Sequence, residues 1–133
     1  MFNFPAFGSG QPTQILTLFD SEKEGGAIAP GESKEKYVSL TAGGYQMVIA
    51  HLGRLSDTLS KSKYNDSETY GELCLYFFTE YGKLVASSMP LFPMVNFVLY
   101  KNSDLKLKVS RNGGTDRNSI HFYVNAWYSP EIF

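Results

Sequence analysis

Leu105, Leu107 and Val109 alternate with Lys106 and Lys108. A few residues later Ile120, Phe122, Val124 and Ala126 alternate with His121, Tyr123, Asn125 and Trp127. A strict period of two belongs to a strand with one face in a core, because residues two apart share a side of a strand but not of a helix. The same signal recurs upstream. In residues 36–41, Val38 and Leu40 lie on one phase and Tyr37 and Ser39 on the other. Residues 13–19, 45–51, 70–79, 83–88 and 94–100 are further runs of β-branched, aromatic and aliphatic residues.

The punctuation between these runs suits turns. Ala42-Gly43-Gly44, Tyr81-Gly82, Asn102-Ser103-Asp104 and Asn112-Gly113-Gly114 each separate two strand candidates, and each is read as a hairpin turn. Met89-Pro90-Leu91-Phe92-Pro93 breaks a ladder, since proline has no N–H to donate. Residues 20–35 read as a charged, solvated loop. Residues 52–68 read as a long loop with room for one short helical turn, since Leu52, Leu55 and Leu59 have helical spacing among poor helix formers.

No βαβ alternation occurs. The expected fold is therefore all-β: an antiparallel β-sandwich or jelly-roll-like barrel of about eight strands. The 133 residues suit one domain, placed at 13–133, preceded by an extended arm at 1–12. Aromatics are abundant, with 10 Phe, 9 Tyr and 1 Trp, in keeping with strands. The expected core contains Val38, Leu40, Met47, Ile49, Leu75, Phe77, Leu107, Phe122 and Val124.

Catalytic constellations are sparse. The one cysteine, Cys74, excludes an intrachain disulfide and reads as a small buried hydrophobe. His51 and His121 could meet across a sheet, but no third metal ligand accompanies them. Asp66-Ser67-Glu68 lacks the ligand order of a calcium loop. No nucleophile elbow, phosphate loop or dinucleotide fingerprint is present. The expectation is a protein that is not an enzyme, with no metal and no cofactor.

Net charge is -1, so no global field draws nucleic acid. Lys101, Lys106, Lys108, Arg111 and Arg117 against Asp104 and Asp116 leave a local 5 − 2 = +3. Lysines on an alternating strand also solvate a face or blunt an edge, so nucleic-acid binding is disfavoured. The first residues lack a basic region followed by an apolar run, and no stretch reaches the ~20 apolar residues of a membrane span. Synthesis in the cytoplasm without a signal peptide is expected, and no membrane span.

Two surfaces stand out instead. Phe2, Phe4 and Phe7 are three aromatics in a segment with neither helical nor strand period. His121, Tyr123 and Trp127 occupy the phase opposite the core-facing Phe122 and Val124. Together they point to a subunit of a larger assembly, such as a virion or appendage component or decoration protein. Such a subunit would bind other protein subunits through the arm and an exposed sheet face. The competing expectation is a glycan- or ligand-recognition module built on Tyr123 and Trp127.

Overall fold

Strands form where the alternation lies, and their partners follow one rule. A computed structural model describes residues 15–54, 71–89, 92–115 and 117–128. The arm at 1–12, all but residues 52–54 of the loop expected at 52–68 with its helical turn, the loop acids Asp66 and Glu68, and the last five residues lie outside the described residues. The strands are β1 (Ile15–Asp20), β2 (Ser33–Leu40), β3 (Gln46–Arg54), β4 (Glu72–Thr79), β5 (Leu84–Ser87), β6 (Met94–Leu99), β7 (Ser103–Asn112) and β8 (Phe122–Tyr128). No helix occurs among the described residues, so none there is long and apolar enough to cross a membrane.

All pairings are antiparallel: β1 with β8, β2 with β7, β3 with β6 and β4 with β5, joined by β3–β8 and β4–β7. The result is two four-stranded sheets, β1-β8-β3-β6 (sheet one) and β2-β7-β4-β5 (sheet two). The four outer pairings nest, first strand with last and so inward. That is a long hairpin wound into a sandwich: a jelly roll.

This order corrects the expected connections. Among the described strands only β4 and β5 are consecutive and pair; every other consecutive pair of them lies in opposite sheets. The turns at 42–44, 102–104 and 112–114 therefore carry the chain across the sandwich rather than back along one sheet. The physical reason is that sheets sit about 10 Å apart, a gap that a few extended residues span as easily as they turn a hairpin. Alternation does not distinguish the two, because both sheets direct their apolar phase at the same core.

That core holds Val38 and Leu40 of β2, Leu75 and Phe77 of β4, Leu107 of β7, and Phe122 and Val124 of β8, all buried as expected. On β3 the phase is reversed. Val48, Ala50 and Leu52 are buried, whereas Met47 and Ile49 are half-buried on the outer side. β3 runs to Arg54, so Leu52 is a core strand residue rather than the start of a loop. β3 lies between β8 and β6, and the sequence Met47-Val48-Ile49-Ala50 is apolar in both phases, as suits a strand covered in part on both faces.

The charged loop before β2 is clasped rather than merely solvated. Ile28 within it is fully buried and bridges Ile120, the two backbones exchanging hydrogen bonds of 2.8 and 3.1 Å. Lys36 donates to the Leu18 carbonyl at 2.7 Å and pairs with Glu24 at 2.6 Å. The Glu32 carboxylate accepts the Ala29 N–H at 2.7 Å and lies 3.5 Å from Lys34. That backbone hydrogen bond, with help from Lys34 and against a smaller cost of burial, holds Glu32 below the ordinary carboxylate range. A lowered folded value adds stability above the unfolded pKa and loses it as pH falls through the folded one. Glu32→Gln should therefore destabilise above about pH 5, with the difference shrinking as pH falls below the ordinary glutamate value of about 4.3. The effect should stay within about 1 kcal/mol, since so exposed a pair is screened. Urea midpoints across pH check this, and a difference that persists undiminished to pH 3 contradicts it.

Candidate docking face

The outer side of sheet one is assembled in rows by strand register. One row runs Ile15–Trp127–Ile49–Asn96 across all four strands, and the next runs Thr17–Asn125–His51–Met94. Met47 opposes Val98, Gly53 opposes Tyr123, and Tyr45 meets Tyr100 with ring centroids 5.6 Å apart. None of these side chains is Asp, Glu, Lys or Arg. Among the described residues such groups stand at its two ends, where Asp20 accepts the Glu22 N–H and Lys101 lies 5.7 Å from the Tyr100 ring. Ile15 is 70% exposed and Val98 46%, while Trp127, Ile49 and Met94 are half-buried.

Of the residues singled out from sequence, Tyr123 and Trp127 do share this outer side. Their surroundings differ. Trp127 is flanked by apolar Ile15 and Ile49. The outer end of the Tyr123 ring packs against Gly53: a Cβ added there would fall 2.3 Å from the ring, so a larger residue would displace the tyrosine from this position. The His51 ring stands 6.3 Å from the same tyrosine. His121 sits just before β8, its Nδ1 2.8 Å from Ser21 Oγ. Ser21 Oγ also accepts the Phe122 N–H at 2.8 Å, and Ser21 itself is buried. The single hydroxyl hydrogen can reach His121 Nδ1 when the ring carries its proton on Nε2. The pair fastens the end of β1 to the start of β8 and leaves no open face on the serine for a substrate. Phe2, Phe4 and Phe7 lie outside the described residues.

Ile15, Ile49, Val98 and His51 belong to this face and were not singled out for it. For β3 a signal was available: His51 shares the phase of Met47 and Ile49, and a histidine marks that phase as the wetter one. For Ile15 and Val98 none was, since their places depend on which strands are neighbours.

The outer side of sheet two is chemically different. Rows Tyr37–Lys106–Phe78 and Glu35–Lys108–Tyr76 interleave lysines with rings. Lys106 lies 5.4 Å from the Phe78 centroid and 3.7 Å from Glu35, and Lys108 lies 5.7 Å from the Tyr76 centroid. These cations are neighboured by acid or ring within the face. The five cations counted in sequence do not form one patch. Arg111 is fully buried, and Lys101 stands beside Tyr100 of the other sheet.

Cys74 is buried in β4. Among the described residues no three His, Cys, Asp or Glu side chains come together as a metal site. No protein-family model matches the sequence, and no curated protein matches it significantly.

Proposed function

We propose that this chain is a non-enzymatic structural subunit of a larger assembly, such as a virion or appendage component or decoration protein, whose copies dock through the outer side of sheet one. One observation carries the reading: an uncharged face crosses all four strands of that sheet, centred on Trp127 between Ile15 and Ile49. Interface centres are depleted in charge and enriched in aromatics, and tryptophan is among the residues whose loss weakens interfaces most. The outer side of sheet two breaks up its rings with lysines and an acid, whereas the two rows of sheet one contain no Asp, Glu, Lys or Arg. The jelly roll itself serves capsid proteins, lectins and enzymes alike, so the fold by itself supports no role.

The sugar-binding alternative has less support. A stacking platform needs an open ring, and the outer end of the Tyr123 ring is packed against Gly53. Trp127 is flanked across the sheet by aliphatic Ile15 and Ile49, and although Asn125 and Asn96 share its side of the sheet, neither of the two rows contains a carboxylate to fix sugar hydroxyls.

Light scattering over a range of concentrations tests the reading. The full chain should exceed its monomer mass of 14.9 kDa, increasingly so with concentration. Ile49→Lys, which places a charge at the centre of the face, should return it to monomer without lowering its melting temperature. A chain that stays monomeric throughout, or one whose assembly ignores Ile49→Lys, contradicts it.

A further inference from the structure

We infer that the occupant of the sheet-one face is the N-terminal arm, residues 1–14, of a second copy of this chain, so that the contact is head-to-tail rather than face-to-face. This rests on the assembly reading above and goes further in naming what fills the face.

Three observations converge. The first is charge. Residues 1–14 contain no Asp, Glu, Lys or Arg, and neither do the rows built on Ile15, Thr17, Ile49, His51, Asn96, Val98, Asn125 and Trp127. Of the two outer faces, sheet two offers lysines and acids, so an uncharged, aromatic segment would strand those charges there and not on sheet one. The second is chemistry. Phe2, Phe4 and Phe7 are three phenylalanines within seven residues, and Trp127 with its aliphatic flanks is a surface that can take them.

The third is reach. The arm joins the fold at Ile15, on edge strand β1, in the Trp127 row. Four strands span only about 14 Å from edge to edge. Phe7 precedes Ile15 by eight residues and Phe2 by thirteen. Along an extended chain that is about 26 and about 43 Å. Pro5 and Pro12 lock their own φ and disfavour helical geometry in the residues before them, which keeps such a segment long. An arm of this length is long enough to pass the edge of its own sheet and reach a neighbour. A contact of arm on face uses two different surfaces, so successive copies propagate it into a ring or filament.

The test uses full chains carrying opposite defects. One variant replaces the arm aromatics (Phe2→Ser, Phe4→Ser, Phe7→Ser) and keeps the face. The other carries Val98→Lys with Ile49→Lys and keeps the arm. Trp127→Phe in this second variant leaves the tryptophan of the first as sole reporter, since the chain has one Trp. Each alone should associate about 100-fold or more weaker than wild type, given three buried phenylalanines. Mixed, they should form a one-to-one complex, and the Trp127 emission of the arm-defective copy should move to shorter wavelength as the other copy's arm covers it. Should wild type prove monomeric at all concentrations, this inference and the assembly reading fall together. Association that survives the arm substitutions overturns the inference alone, and so does a mixture that fails to recover. Equally damaging is a red-shifted Trp127 in the arm-defective variant measured where wild type is monomeric, because the arm would then be covering its own face.

Discussion

Phe122→Ala is expected to lower unfolding free energy by about 3–5 kcal/mol, the range for truncating a buried phenylalanine. Phe122 opens β8 and is fully buried. Its ring meets Phe19 edge-on, with centroids 5.0 Å apart and planes at 72°. Its backbone is pinned as well, donating to Ser21 Oγ and accepting the Ser21 N–H at 3.0 Å. With the backbone held this way the strand cannot shift inward to fill the space, so the cavity cost adds to the lost burial. Domains of this kind have about 5–15 kcal/mol in total, so the variant should fold but only marginally. Urea denaturation should show the midpoint falling by about 2 M with little change in slope. A loss under about 1 kcal/mol would mean that the ring does not sit in the core.

That Phe122 faces inward was legible in the sequence, and so was Tyr123 and Trp127 facing out, because β8 carries polar or amphipathic residues on one phase only. The same reasoning placed Leu105, Leu107 and Val109 correctly on β7. It placed Met47 and Ile49 on the wrong side because β3 is apolar on both phases, and a one-residue phase error moves every side chain across the sheet. Ile28 was passed over for a different reason. It sits among acids and glycines in residues 20–35, with only Ala27 and Ala29 beside it, and its burial depends on Ile120 some ninety residues later. No local pattern contains that pairing.

The candidate face was half legible on the same grounds. Its β8 stripe follows from alternation along one strand. Its width depends on β1, β3 and β6 lying beside β8 in that order, and the nested pairing that achieves this is entirely non-local. The turn residues at 42–44, 102–104 and 112–114 concealed it, since Gly, Asn, Ser and Asp serve connections that cross between sheets as well as those that close hairpins.

Arg111 gives the second large effect, and its role is opposite to the one its charge suggests. Counted with four neighbouring cations it looks like part of a basic surface. In the fold it lies on the inward phase of β7, after Leu105, Leu107 and Val109, and is fully buried. Its Nη1 donates to the carbonyls of Ile28 at 3.0 Å and Asn118 at 2.7 Å. Its own backbone exchanges hydrogen bonds of 3.0 Å with Gly31 and Glu32. One side chain thus holds the β1–β2 loop against the β7–β8 loop and closes that end of the sandwich. The Ile28 carbonyl that it serves lies in the buried interior and loses its donor when the arginine is removed. Arg111→Ala should therefore cost about 3–5 kcal/mol, from that orphaned carbonyl together with the void left by the stem. Arg111→Met refills most of the volume but offers no donor, and should recover only the packing share, leaving a deficit of about 2 kcal/mol. Urea melts of both variants separate the contributions. If Arg111→Met proves as stable as wild type, the two carbonyl hydrogen bonds add nothing net and the arginine acts there only as filler.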